Sequence, residues 1–220
     1  MKQLVLATAV VLSVVAAFIF YSYHETLPPS IPLKVEGQPT VGYRKALVHV
    51  VLFEEPKCLE CKNFTLNVYP KLKTEFIDTN KIRYTVIPVS FLPDSMPAAI
   101  ALLAAMHQDE RYQNEEIFFT FLDYMYRHQP EESENWARIE TLEEYAKQTS
   151  PAIDLAYLRE SVAKERYRLQ IEQNTDYGME IMHGELTTPT AYVNGIKAED
   201  LNHRGISALI RTVLRQKGGE

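Results

Sequence analysis

Cys58 and Cys61 are the only cysteines in a chain of 220 residues. Leu59 and Glu60 separate them. The pair follows an apolar, strand-forming run over residues 46–53 and opens a run of helical periodicity that reaches about residue 76. A Cys-x-x-Cys pair between a strand and a helix puts the first sulfur at the helix N-terminus. There, unpaired N–H groups and the helix dipole favour a thiolate. The second sulfur lies one turn inside, within reach of a mixed disulfide formed by the first, which suits thiol–disulfide exchange. A structural staple is the weaker reading, because a disulfide closing so short a loop constrains the unfolded chain little. With no further cysteines there is no disulfide framework to join.

The elements that must hold the pair follow from the apolar pattern. Residues 46–53 carry strand formers interrupted only by His49, as expected for a strand covered on both faces. His49 reads as a packed core residue rather than a ligand. Residues 54–57 turn into the helix. From Cys61, apolar residues return at Phe64, Val68, Leu72 and Phe76, all on one helical face. Pro70 is expected to kink this helix and free the carbonyl of Leu66. Residues 82–89 read as a second strand, which completes a βαβ unit.

The pattern then changes. Helices are expected over residues 96–107, 114–127, 136–147 and 155–177. The second carries Phe118, Phe119, Phe121, Tyr124 and Tyr126, which read as core packing, with a substrate groove as the alternative. The α/β pattern resumes at Thr188-Pro189. A short strand over residues 190–193, the turn pair Asn194-Gly195 and a returning strand over 196–198 form a hairpin. A closing helix over 204–215 presents Ile206, Leu209, Ile210 and Val213 on one face.

Net charge is −6 with mixed signs, and no basic tract points to nucleic acid. With 46% hydrophobic residues the chain has enough apolar content for a compact core. Residues 4–20 hold only Thr8 and Ser13 as polar groups, a length near the lower limit for crossing a bilayer. Lys2 precedes this run and the next basic residue is Lys34, so the remainder is expected beyond the membrane. Residues 1–23 read as an uncleaved anchor, with Tyr21 and Tyr23 at the interface and a cleaved signal peptide as the alternative. Residues 24–44, with Pro28, Pro29, Pro32, Gly37 and Pro39, read as an extended linker.

Four blocks, over residues 53–64, 98–107, 142–147 and 187–195, resemble the DsbA-like branch of the thioredoxin superfamily. The first contains the Cys58/Cys61 pair and the last reads Thr187-Thr188-Pro189-Thr190-Ala191-Tyr192-Val193-Asn194-Gly195. The resemblance covers about residues 40–215. It implies an α/β thioredoxin fold with an inserted α-helical domain: residues 45–94 and 181–220 form the thioredoxin parts, and 95–180 the insertion. It implies a cis Pro189 facing the cysteines, with Thr188 presenting backbone to a substrate peptide. Cys58 would be the exposed sulfur that forms the mixed disulfide, and Cys61 its buried partner. No cofactor or metal is implied. The expected partners are reduced or misoxidised exported proteins and a membrane redox partner that resets the pair. The expected place is periplasmic or extracytoplasmic, with the chain a monomer.

The chain departs from that family in two places. Strongly oxidising members often carry Pro-His between the cysteines, where this chain has Leu59-Glu60. The Glu60 carboxylate is expected to raise the Cys58 pKa, partly offset by Lys57, giving a milder oxidant. Many relatives also place a carboxylate, thought to assist proton transfer, six residues before the first cysteine. Leu52 stands there, and Glu54 and Glu55 are the available substitutes. Envelope disulfide reduction or isomerisation is the alternative within this chemistry. A metal-binding module using both thiolates and a histidine, or an anchored chaperone using the aromatic helix, are the alternatives outside it.

Overall fold

The computed structural model describes residues 11–15, 27–108 and 113–218. Among them, five strands form one sheet in the order β1-β3-β2-β4-β5. β2 (Val48–Glu54) and β3 (Ile82–Pro88) run parallel at the centre, with Val48 opposite Ile82 and Glu54 opposite Pro88. β4 (Thr190–Val193) lies antiparallel to β2, with Thr190 opposite Phe53, and β5 (Ile196–Lys197) closes that edge. β1 (Thr40–Gly42) pairs antiparallel with β3 at the other edge.

A central strand buried on both faces needs apolar side chains at successive positions, and β2 has them. Val48, Val50 and Leu52 face the larger core, while Val51 and Phe53 face a smaller one with Ile87, Val89 and Tyr192. His49 is partly buried and joins a polar ladder across three strands. Its Nε2 lies 2.7 Å from Thr85 Oγ1, which lies 2.7 Å from Thr40 Oγ1. Burial, with Arg83 adding to it, pushes its pKa down to about 4 and keeps the ring neutral.

The crossover between β2 and β3 comprises α1 (Leu59–Asn67), α2 (Tyr69–Leu72) and one π-helical turn (Lys73–Ile77). The helix divides at Val68, ahead of Pro70, as the missing N–H and the ring of proline require. The Val68 carbonyl takes the N–H groups of both Lys71 and Leu72, at 3.1 and 3.2 Å. These segments bury Phe64, Leu72 and Phe76 against the sheet's larger core.

The helices that follow are α3 (Met96–Met106), α4 (Glu115–His128), α5 (Ile139–Thr149), α6 (Leu155–Ala163) and α7 (Arg168–Ile181). α3 is apolar around its whole circumference and buried from Ala98 to Met106. In α4, Phe118, Phe121 and Tyr126 are fully buried, and Phe119 stacks on Tyr69 with centroids 5.8 Å apart. The aromatic helix is therefore core. α8 (His203–Gln216) closes the chain, with Ile206, Ile210 and Val213 buried.

Three expectations need correction. The helix read over residues 155–177 is two, broken between Ala163 and Arg168, where Glu165 adopts φ +49°. The break lets Tyr177 and Ile181 of α7 cover the sheet's second face. The helix read from residue 136 begins at Ile139; Trp136 and Ala137 are apolar because they are buried ahead of it. The stretch read as a linker is docked in part. Thr40–Gly42 is a strand, Leu33 and Val35 pack on the smaller core, and the Ile31 N–H donates to the Gly195 carbonyl at 3.0 Å. Gly195 has φ +81°, and a Cβ there would stand 2.0 Å from the Ile31 oxygen, so only glycine fits.

The membrane segment read over residues 4–20 lies outside the described residues except for 11–15, which are helical. Among the described residues no helix is long and apolar enough to cross a membrane.

Candidate active site

Cys58 is the N-cap of α1, with φ −68° and ψ 124°. Its N–H donates to the Glu55 carbonyl at 3.0 Å, and its own carbonyl accepts the Lys62 N–H at 3.0 Å. The sulfur thus stands where the first helical N–H groups lack intrahelical partners. Cys58 is half-buried and Cys61, one turn inside, is fully buried; both are free thiols. The Glu55 N–H donates to the Cys61 sulfur at 3.5 Å.

The register of β4 against β2 carries the preceding loop to the same place. The Thr188–Pro189 bond is cis, and the Cys58 sulfur lies 3.4 Å from the Thr188 carbonyl oxygen. Residues 130 positions apart in sequence thereby meet at one end of the sheet.

The two sulfurs are driven in opposite directions. The Cys58 pKa falls from the ordinary thiol value to about 6. The Cys61 thiol donating to the Cys58 sulfur is the largest cause; burial opposes it, and the backbone N–H groups of Cys61 and Glu60 and the Thr188 side chain assist. Burial pushes the Cys61 thiol well above its ordinary value, with the Cys58 sulfur and then Glu54 adding to the effect. One sulfur is therefore a thiolate at neutral pH and the other a protonated thiol. That division suits the first to meet a visiting disulfide or thiol and the second to resolve the product.

Glu60 and Lys57 do not act as expected. Glu60 is exposed, and its backbone N–H, not its carboxylate, bears on Cys58, in the direction that lowers the pKa. Lys57 is 2% exposed, and its ammonium donates to the Pro93 carbonyl at 2.8 Å. Neither side-chain charge is a cause of the Cys58 shift. Helix-end N–H groups and the partner thiol set it instead.

Two carboxyl groups lie buried beside the pair. Glu54, 2% exposed, accepts a hydrogen bond from Thr65 Oγ1, and burial pushes its pKa up to about 8. Glu55, fully buried, accepts from the Lys57 N–H at 2.8 Å, and burial pushes its pKa up to about 7. The sequence signal for them is two adjacent acids at the end of an apolar strand that enters a helix. Thr65, Tyr126 and Gln129 had no such signal. Tyr126 donates to the Glu55 carbonyl at 3.1 Å, and Gln129 Nε2 donates to the Lys57 carbonyl. Both come from the end of α4, which ties the helical insertion to the cysteine turn.

The mouth of the site is apolar and acidic. Leu59 is exposed, and a groove beside it is lined by Pro93, Asp94, Glu131 and Glu132. Glu132 reaches back to accept the Leu59 N–H at 3.3 Å. Among the described residues no three His, Cys, Asp or Glu side chains converge to hold a metal ion.

The family model described as Thioredoxin matches residues 34–212. Disulfide bond formation protein D of Bacillus subtilis is 30% identical over 161 residues, 73% of this chain and 69% of that protein. The crystal structure of Chlamydia trachomatis DsbA superposes with a TM-score of 0.79 at 32% identity, covering 86% of this chain and 99% of that one. Oxidised BdbD from Bacillus subtilis gives a TM-score of 0.76 at 28% identity, covering 86% and 100%. Two thiols of opposed acidity at a helix end, a cis-proline loop against them and these likenesses agree: the chain belongs to the thioredoxin superfamily, as a DsbA-like thiol–disulfide oxidoreductase.

Proposed function

We propose that this protein works beyond the cytoplasmic membrane and forms disulfides in exported proteins, as a milder oxidant than the strongest members of its family. Cys58 is the sulfur that clients attack, and Cys61 is the sulfur that leaves. Thr188 and Pro189 present the surface on which client backbone lies. A client thiolate attacks the Cys58 sulfur of the oxidised pair, and the client's second thiolate then displaces Cys58. The client leaves oxidised and the pair reduced. A membrane redox partner supplies the disulfide that resets it.

The observation that carries this reading is the half-buried Cys58 sulfur, acidified at the head of α1 and set 3.4 Å from the Thr188 carbonyl. A stabilised thiolate is a good leaving group and makes the oxidised pair oxidising. With a pKa of about 6, Cys58 falls between a strong oxidant at ~3.5 and thioredoxin at ~7. About 30 mV for each tenfold change in thiolate stability places the potential at roughly −240 to −195 mV.

Equilibration with glutathione buffers, read by the mass shift of alkylated thiols, measures that potential. A parallel assay follows oxidation of a reduced two-cysteine polypeptide. A potential near −120 mV would remove the milder-oxidant reading, and no oxidation of the polypeptide would remove the function.

A further inference from the structure

At the end of the sheet away from the cysteines, Arg83 lacks a counter-ion. Side chains alternate between faces along β2 and β3. His49 therefore lies with Val51 and Phe53, and Arg83 with Thr85 and Ile87, on the face of the smaller core. Arg83 stands opposite His49 in the ladder and is close enough to help hold that ring neutral. Its Nε is buried with no hydrogen-bond partner, and among the described residues no carboxylate pairs with it. A guanidinium carries five N–H donors, and leaving a buried one unmet costs stability. Such a group calls for an explanation.

The space in front of Arg83 supplies one. A cavity of about 240 Å³ opens there, and Arg44, His49, Gln113 and Glu115 are among the side chains that line it with Arg83. α7 covers the rest of this face through Tyr177 and Ile181, but none of its residues lines the cavity. Arg44 sits in the turn after β1, with its side chain 90% exposed. Its ion-pair partner, Glu115 at the start of α4, stands 3.8 Å away, beyond hydrogen-bond reach. The Arg44 guanidinium can therefore turn into the cavity without breaking a hydrogen bond. With His49 neutral, the lining sets the charges of Arg44 and Arg83 against Glu115 alone and is net positive.

We propose that this cavity is a phosphate-binding site in which Arg83 and Arg44 hold the anion between them. The donor geometry selects phosphate. A planar carboxylate is matched by one guanidinium fork, whereas a tetrahedral phosphate keeps oxygens for a second guanidinium from another direction. Here the two guanidinium groups come from separate elements, β3 and the turn after β1. The volume falls below the ~300–1,000 Å³ of sites for drug-sized ligands, so it suits the free ion or a small phosphate ester. His49 and Glu54 are five residues apart on β2, about 16 Å at the usual rise of a strand. The bound group therefore lies at the opposite end of the sheet from Cys58 and takes no part in thiol exchange. It ties the edge of the sheet to β3 and stabilises the folded chain by mass action.

The test titrates the full chain with inorganic phosphate and with glycerol 3-phosphate at constant ionic strength, with chloride as the control. Calorimetry reads the affinity, and NMR of the His49 ring reads the place. Saturable phosphate binding is expected, with the His49 resonances shifting and the alkylation profile of Cys58 unchanged. Arg83→Gln is expected to weaken binding about 10-fold or more. Arg44→Gln should weaken it less, and Glu115→Gln, which removes the opposing charge, should tighten it. Phosphate also stabilises proteins by exclusion from their surfaces, but that effect does not saturate and survives in R83Q. No saturable binding to the wild type, or equal affinity in the wild type and R83Q, would overturn the proposal. If R83Q does not fold, R44Q and E115Q decide, and an affinity unchanged in both overturns it. Binding of the ester as well as the ion would admit small organic phosphates, and binding of the ion alone would restrict the site to free phosphate; both uphold a phosphate site.

Discussion

The Cys58 sulfur lies 3.4 Å from the carbonyl oxygen of Thr188, although 130 positions separate the two residues. The contact joins the head of α1 to the loop that enters β4, so the fold must be complete before the sulfur has its environment. The same loop brings the Thr188 side chain to the sulfur, where it lowers the Cys58 pKa, so acidity at Cys58 is a tertiary property as well as a helix-end property.

This relationship gives a first prediction. The Thr188 side chain is among the groups that lower the Cys58 pKa. Thr188→Val removes a hydroxyl that is buried with no other hydrogen-bond partner and should raise the Cys58 pKa. Glu60→Gln should leave it nearly unchanged, because the carboxylate is exposed and only the backbone N–H bears on the sulfur. The rate of iodoacetamide alkylation against pH measures both. A large fall in the E60Q value would restore the carboxylate to the role first expected of it.

Cys61 has two jobs that one variant exposes. Its thiol is the largest cause of the low Cys58 pKa, and it is the group that would resolve a mixed disulfide. Cys61→Ala should therefore move the Cys58 midpoint up from about 6 toward the ordinary thiol range. The same variant should accumulate client–Cys58 adducts visible on non-reducing gels. Adducts that clear as fast as in the wild type would mean that the client's second thiol does all the resolving and that Cys61 takes no part in clearing stalled adducts.

Burial of Glu54 also makes a claim about stability. Its folded pKa is about 8, above the unfolded value near 4.5. The unfolded chain loses this proton first, so the group's contribution falls as pH rises from about 4.5 to about 8 and is constant beyond. Glu54→Gln abolishes the titration. Its stability relative to the wild type should therefore grow across that window, reaching on the order of 2–4 kcal/mol at pH 8. Comparing the two chains cancels the opposite trend from Cys58, whose lowered pKa adds stability to the reduced chain between about pH 6 and 9. Urea unfolding at pH 5 and pH 8 supplies the comparison, and a difference that does not change with pH would mean that Glu54 is ionised throughout.

Much of the frame was legible because its signals are local. Strand β2 announces itself by successive apolar residues, the break before Pro70 by ring geometry, and the hairpin by Asn194-Gly195. The meeting of Cys58 with Thr188 was reached by resemblance, since no local rule joins such distant residues. The errors have a common physical cause. Glu60 and Lys57 stand next to the cysteines in sequence, but one side chain points to solvent and the other is turned into the Pro93 loop. Nearness along the chain overstated their influence. Conversely, Leu33 and Val35 looked like linker because prolines surround them, yet they cover a sheet face that has too few helices.

That docked segment gives the last prediction. The Ile31 N–H donates to the Gly195 carbonyl at 3.0 Å, and a Cβ on Gly195 would stand 2.0 Å from the Ile31 oxygen. Gly195→Ala must therefore push the segment away as well as strain a backbone at φ +81°. The strain alone costs about 1–3 kcal/mol. Proteolysis within residues 27–39 should accelerate in the variant. The Cys58 pKa should hold, because Gly195 lies at the end of β4 remote from Thr190, which faces Phe53 beside the cysteine turn. Limited trypsinolysis at Lys34, followed by mass spectrometry, reads the first effect, and the alkylation profile reads the second. Equal cleavage in both chains would show that the segment is held by the packing of Leu33 and Val35 alone.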